Sequence, residues 1–203
     1  MKRIILLFML MVALTAWAGD GDGQVKEKTA LPMPTSIVKL NIGPVVTVSK
    51  VYVQASSWSS PDLYEDVTGL GGTLSWIHMG GHGIGYGFDF YANRTVYTSY
   101  AKQALLSLSP NVTGALGLGR VAMLVGSAGL GAVYSHSNDQ TDLGFCWRLS
   151  AGMDFRLSES FGLGIEWFMQ RNYLKKPTGL RLPGNERYGF DHAGVLLGVR
   201  FYH

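Results

Sequence analysis

Residues 136–139, His-Ser-Asn-Asp, bring together side chains that can carry out acyl transfer. An imidazole can activate a serine hydroxyl as a nucleophile, and a carboxylate can orient that imidazole. Their spacing argues against this role, because His136 and Ser137 are adjacent and adjacent residues of an extended strand point to opposite faces. We therefore expect Ser135, His136 and Ser137 to be polar residues at the rim of a loop.

Asp154 and Glu166 form a second candidate site, since they lie on neighbouring predicted strands and should face the same interior. Two carboxylates in an enclosed space suggest acid–base chemistry. Arg156 should lie diagonal to both and could bridge them. Buried charges persist only when they are paired and hydrogen-bonded, so we favour a salt-bridged polar interior. The charged residues predicted to face this interior are Lys39, Asp89, Arg148, Asp154, Arg156, Glu166 and Arg200, with His192 alongside.

Metal and thiol chemistry are less well supported. His78, His82 and His203 should lie near one rim of the fold, where three imidazoles could bind a metal ion. No spacing rule requires such a site, and histidines at a membrane interface are the interpretation we favour, so no metal or other cofactor is expected. Cys146 is the only cysteine, which excludes an internal disulfide, and it should face the interior as a small residue.

A basic segment near the C-terminus is a candidate contact for anions. It contains five cations against the single carboxylate of Glu186, which gives a net charge of +4. Such a segment could bind the phosphates of lipopolysaccharide or an acidic partner. A simply solvated loop is the alternative that we favour. The five cations are Arg171, Lys175, Lys176, Arg181 and Arg187.

Apolar and polar residues alternate along the chain with a period of two, and this pattern determines where all of these residues lie. In the clearest predicted strands, large apolar residues such as Phe88 and Trp147 alternate with small or charged ones such as Asp89 and Arg148. A strand that is oily on one face and small or charged on the other suits a barrel wall between lipid and a polar lumen. Eight such segments are present, although the Gly- and Ala-rich fifth (residues 121–135) leaves its faces unassigned.

The connections between these segments alternate in length. Those after the second, fourth and sixth are short, whereas those after the first, third, fifth and seventh are longer. They are predicted at residues 80–83, 119–120 and 158–160, and at residues 50–68, 94–103, 136–143 and 172–187. Short periplasmic turns and longer extracellular loops are typical of outer-membrane barrels. We therefore predict an all-β fold, a transmembrane up-and-down antiparallel barrel of eight strands, with a bulge or local break at Pro110.

The N-terminus has the features of a signal peptide. Lys2-Arg3 precedes an apolar run at residues 4–14, and Ala16-Trp17-Ala18 offers a cleavage site. We expect residues 1–18 to be removed, residues 19–36 to be a flexible periplasmic lead-in and residues 37–203 to form the barrel. Cleavage would lower the formal net charge from +3 to +1, because the leader carries two cations and no anion. Overall charge therefore gives no reason to expect nucleic acid as a partner.

These patterns resemble the small eight-stranded outer-membrane barrels of the OmpA/OmpX-like superfamily, in particular the barrel proteins of Bacteroidetes-type bacteria. The resemblance covers nearly all of the mature chain and depends on alternation. It implies that the barrel-assembly machinery recognises the last strand. The outward residues of that strand are Val195, Leu197, Val199 and Phe201. The chain departs from the family pattern because Tyr202 and His203 follow the terminal aromatic residue.

We expect an integral outer-membrane protein, without catalytic activity, that has a structural, surface-interaction or accessory role. Its expected partners are outer-membrane lipids with lipopolysaccharide, the assembly machinery and a larger membrane complex. Two alternatives stay open: a narrow gated channel, and a lipid A-modifying enzyme, since small barrels include lipid A deacylases and acyltransferases. The deacylases carry a His-x-Ser-Asn element with a downstream acid, whereas residues 136–138 lack the intervening residue.

Overall fold

The computed structural model describes residues 33–52, 68–96, 102–119, 121–137, 140–175 and 187–203. The predicted signal peptide and the lead-in up to residue 32 lie outside the described residues. The described residues form eight β-strands. These are β1 (Ser36–Tyr52), β2 (Thr68–Met79), β3 (Ile84–Val96), β4 (Lys102–Leu118), β5 (Ala122–Ser137), β6 (Gln140–Arg156), β7 (Phe161–Lys175) and β8 (Arg187–Tyr202).

Each strand pairs antiparallel with the next in the sequence, and β8 pairs with β1, so the sheet closes into a barrel. The predicted eight-stranded up-and-down barrel is confirmed. Within the part of the chain that the structure describes, there is no helix that is long and apolar enough to cross a bilayer.

The stagger of the strands sets the shape of the barrel. Paired residues traced once around the wall from Thr47, through its β8 partner His192, lead back to Ile37. Ile37 lies ten residues from Thr47 on the same strand, so the barrel combines eight strands with a shear of ten. These values correspond to a strand tilt of about 40°. The tilt brings residues from non-adjacent strands to the same height in the lumen.

Burial alternates along the strands and separates an apolar outer wall from a polar interior. In β3, Tyr86, Phe88 and Phe90 are exposed, while Gly87 and Asp89 between them are buried. The structure also assigns the faces of β5: its inward residues include Met123, Val125 and Val133, and its outward residues include Leu130 and Tyr134.

The connection between β5 and β6 differs from the prediction. Residues 136–143 were expected to form a longer loop, but Ser137 pairs directly with Gln140 and only residues 138–139 connect the two strands. That prediction is wrong. Polar residues at strand ends look like loop residues in a sequence, yet here their backbones continue the hydrogen-bonded ladder beyond the apolar part of the wall.

Pro110 interrupts the ladder between β4 and β5. Leu108 pairs with Ala132 and Asn111 pairs with Gly129, whereas Ser109 and Pro110 make no pair with β5. The register is the same on both sides of this gap, so the irregularity is a local break and not a bulge. Proline has no N–H to donate, which accounts for a missing bond at this position.

The two ends of the described chain meet where the barrel closes. The backbone N–H groups of Thr35 and Ser36 donate to the carbonyl oxygen of His203 at 2.8 and 2.9 Å, and His203 N–H donates to Ser36 O at 3.0 Å. The start of β1 and the end of β8 therefore lie at the same end of the barrel.

Candidate functional site

The side chains in the lumen form successive layers along the barrel axis. The layer at the end where β1 begins is called the lowest here, and it is apolar. At the end where β1 begins, six buried side chains pack together, and Met33 and Ala115 pack against them. We call these six residues the apolar plug: Ile37, Ile77, Met79, Met123, Val125 and Tyr202. These residues come from four of the eight strands (β1, β2, β5 and β8), so the plug spans the lumen at this end.

Glu166 is the centre of a charge network above the plug. Its carboxylate lies 3.5 Å from Lys39 Nζ and accepts a hydrogen bond of 3.2 Å from Arg148 Nη2. Arg148 also lies 4.0 Å from a carboxylate oxygen of Asp89 on the far side of the lumen. All four side chains are buried. The network thus joins β1, β3, β6 and β7 through charges that neutralise one another.

A second ion pair joins β6 to β8. Arg200 Nε donates to Asp154 Oδ1 at 2.6 Å, and Arg200 Nη1 donates to the amide oxygen of Asn41. Strand β7 lies between the two charged residues, and at this height it carries Gly164. A Cβ atom at Gly164 would collide with both the guanidinium and the carboxylate. The absence of a side chain at this glycine therefore allows the ion pair to form across β7.

Two aromatic rings hold the guanidinium of Arg148 in place. Its central carbon lies 4.3 Å from the ring centre of Phe168 and 5.0 Å from that of Tyr91. The rings contact each other at 5.2 Å and pack with Val45 and Leu196. Phe168 is not among the functional residues predicted from the sequence. Its position two residues after Glu166, on the same face of β7, was the signal that could have found it.

All seven charged residues predicted to face the interior are buried in the lumen, as is His192. The predicted bridge from Arg156 to Asp154 and Glu166 is wrong, because Arg200 binds the first carboxylate while Lys39 and Arg148 bind the second. Arg156 lies one layer lower. Its guanidinium stacks on Tyr202 at 4.9 Å and donates to the carbonyl oxygen of Glu159 at 3.1 Å.

The upper lumen contains a neutral hydrogen-bond network. His192 Nδ1 lies 3.0 Å from Asn172 Nδ2, and Gln170 Nε2 donates to Asn172 Oδ1 at 2.7 Å and to Ser107 Oγ at 3.1 Å. These four side chains are buried and come from β4, β7 and β8. A network of uncharged polar side chains thus lies in the lumen above the charge network.

The basic segment is described only in part. Arg171 is on the outer wall of β7 and makes a two-pronged ion pair with Asp191 of β8 at 2.5 Å, beside the ring of Trp147. Its charge is therefore already neutralised by the protein. Lys175 ends β7 and is exposed. Arg187 begins β8, and Lys176 and Arg181 lie outside the described residues.

The other candidate residues are spread over the wall. His136 is exposed on the outside and Ser137 is buried on the inside, so the two side chains do not face each other. His78 is exposed and packs against Tyr86 at 5.4 Å. His82 and His203 are exposed as well, and no three potential metal ligands are grouped anywhere in the described part of the chain.

The four residues assigned to assembly by resemblance lie on the outer face of β8. Val195, Leu197 and Phe201 are exposed, and Val199 is half-buried. Phe201 contacts Phe161 of β7 edge-on at 5.8 Å. These side chains are therefore displayed on the outside of the wall at the strand that closes the barrel.

Cys146 gives a direct test of this packing. Its thiol is fully buried in the lumen, 3.5 Å from Ser109 Oγ. We expect a maleimide reagent to leave the folded barrel unlabelled and to label the protein fully after heating in detergent, because only the unfolded chain exposes the thiol. Mass spectrometry of the two samples measures this difference. Fast labelling of the folded protein would contradict the observed packing.

Comparisons with known proteins agree on the fold alone. No protein-family profile matches the chain, and no curated protein does. Among solved structures, Neisserial surface protein A (NspA) is similar, with a TM-score of 0.62 and 11% identity over 83% of this chain and 97% of that one. This likeness shows that the two chains share the fold of a small eight-stranded barrel.

Two further solved structures overlap over most of their length with lower scores. The outer membrane protein OprG from Pseudomonas aeruginosa has a TM-score of 0.49 and 10% identity, covering 86% of this chain and 99% of that one. The outer membrane enzyme PagL has a TM-score of 0.43 and 17% identity, covering 80% and 97%.

Proposed function

We propose that the chain is an integral protein of a bacterial outer membrane. One observation carries this proposal: the large apolar side chains cover the outside of the barrel, and the charged side chains of the wall lie mostly inside. Leu163 of β7 is 47% exposed, whereas Arg200, which follows its paired residue Val199 on β8, is completely buried. A barrel that folds in water would have the opposite arrangement, because exposed apolar surface is unfavourable there.

Within that membrane, we propose a structural, surface-interaction or accessory role without catalysis. The charge network and the apolar plug occupy the lumen with paired charges and packed apolar side chains, which supports a rigid scaffold. The loops at the end opposite the chain termini would then provide contacts outside the cell. The basic segment is the candidate contact for lipopolysaccharide or an acidic partner, and the outer face of β8 is the candidate signal for the assembly machinery.

A narrow gated channel is the second candidate, and one observation favours it. Glu166 contacts two cations, Lys39 and Arg148, and could exchange one for the other. If one of the two contacts broke, a path through the lumen could open while the other cation stayed paired with the Glu166 carboxylate. Planar bilayer recording distinguishes this role from the scaffold, for which we expect no single-channel currents. The enzymatic alternative predicts a change in the mass of lipid A when the protein is expressed, and no observation favours it.

The membrane location is tested by expressing the full chain in a Gram-negative host and isolating its outer membranes. We expect the protein in that fraction, and we expect its mobility on a detergent gel to change when the sample is boiled, because a closed barrel resists detergent until heated. N-terminal sequencing of the same sample tests cleavage after Ala18. A soluble periplasmic product whose mobility is unaffected by boiling would refute the proposal.

A further inference from the structure

A groove runs across the outer wall where β4, β5 and β6 meet. Its volume is about 770 Å³ and it is open to the outside. The outward side chains around it are apolar: Pro110, Val112, Ala128, Leu130, Trp147 and Leu149. Arg148 also lines it, but its guanidinium is on the other side of the wall, in the charge network, and the Arg171–Asp191 ion pair lies on the outer wall beside Trp147. The groove therefore offers an almost entirely apolar surface.

The sequence of β4 and β5 explains why the wall is hollow here. On β5, the small side chain of Ala128 lies between its bulkier paired residues, Val112 of β4 and Leu149 of β6. On β4, Pro110 lies at the break in the ladder, where the two strands make no pair. Leu130 and Val112 rise on either side and are 61% and 62% exposed. Two ridges thus border a floor of small residues.

The shape and chemistry of the groove fit a flexible hydrocarbon chain. The ridges formed by Leu130 and Val112 would keep the flat wall of another barrel away from the floor, whereas a methylene chain can lie between them. Exposed apolar side chains continue above the groove at Leu106 and below it at Leu116. The groove is therefore continuous with the surface that, under the proposed function, contacts lipid.

We propose that this groove is a binding site for one acyl chain of a membrane lipid. The inference depends on the proposed membrane location, since only a lipid environment supplies the chain. Contact with the floor adds dispersion interactions that a chain on the convex wall does not make. The bound chain should thus exchange more slowly, and be bound at lower lipid concentration, than the lipids around the rest of the barrel.

Trp147, at the edge of the groove, is a natural reporter. We would prepare three variants of the full chain, each of which keeps one of Trp76, Trp147 and Trp167 and has phenylalanine at the other four tryptophans. All three of these tryptophans are on the outer wall. Folded protein in detergent micelles is titrated with a phospholipid brominated at the middle of its acyl chains, and bromine quenches the fluorescence of a tryptophan that it contacts.

We expect half-maximal quenching of Trp147 at a severalfold lower lipid concentration than that of Trp76 or Trp167. Ala128→Leu should fill the floor of the groove and remove this difference. Ala132→Leu is the matched control, because Ala132 is another outward alanine of β5 that lies outside the groove. It should leave the preference of Trp147 unchanged. Heat-dependent gel mobility verifies that each variant is folded.

Equal quenching of all three tryptophans, or no effect of Ala128→Leu, would overturn the acyl-chain site while leaving the membrane location intact. Protection of Trp147 in a chain that sediments as a dimer would also overturn it, in favour of a second copy of the barrel. If none of the tryptophans is quenched in lipid vesicles, the proposed membrane location itself is wrong.

Discussion

Glu166→Gln is expected to lower the free energy of unfolding by about 3 kcal/mol, because removing one member of a buried ion pair leaves an uncompensated charge. Glu166 is the carboxylate that Lys39 and Arg148 share, at 3.5 and 3.2 Å. Glutamine keeps its shape but not its charge, so the loss reports electrostatics and not a cavity. Urea unfolding of the barrel in lipid vesicles, followed by tryptophan fluorescence and by the folded band on an unheated gel, measures the difference.

Two further variants separate this effect from general damage. Lys39→Met combined with Glu166→Gln removes one of the stranded cations, so we expect the double variant to recover part of the lost stability. Lys175→Gln changes an exposed charge at the end of β7 and should alter stability by less than about 0.5 kcal/mol. A loss below about 1 kcal/mol for Glu166→Gln would show that the network contributes little to holding the barrel closed.

Gly164→Leu is the second change with a large expected effect. A side chain at this position would collide with the guanidinium of Arg200 and the carboxylate of Asp154. Both groups are buried, so neither can move into solvent. We expect a loss of about 4 kcal/mol, the cost typical of a broken buried ion pair, or a failure to form the heat-dependent gel band at all.

Gly114→Leu is its matched control. Gly114 is also a strand glycine, but it is exposed on the outer wall and a Cβ atom there would meet nothing within 4 Å. The same substitution should therefore leave the yield of folded barrel unchanged. Equal losses for the two variants would mean that leucine is unfavourable at any strand glycine, and the argument from the ion pair would fail.

The fold was predictable from the sequence because alternation is strong wherever the two faces of a strand differ in kind. Phe88 beside Asp89, or Trp147 beside Arg148, indicates clearly which side of the strand faces outward. In β5 the alternation fails as a signal, since glycine occurs on both faces and neither glycine nor alanine carries a strong preference. The ends of β5 and β6 were missed for a related reason, because polar residues beyond the apolar part of the wall have the composition of a loop.

The residues of the charge network could be predicted, but their partners could not. Alternation determines which charges face inward, whereas pairing depends on the shear of the barrel. Proximity in the sequence favoured Arg156 as the partner of Asp154. The shear of ten instead brings Arg200, from the last strand, to the height of Asp154, and Gly164 leaves the space for the two side chains to meet. The sequence alone does not determine the register of the strands, so these distances could not be predicted from it.

The meeting of Thr35 and His203 has a consequence for how fast the barrel can form. These residues are 168 positions apart in the chain. Joining them first would cost about 4.5 kcal/mol in loop-closure entropy, so strand pairing must advance from local hairpins and the long-range contact must come last. Until then, β1 and β8 each expose an unpaired edge that can aggregate with other chains. The time for which these edges stay open therefore sets how long an unclosed chain can pair with other chains.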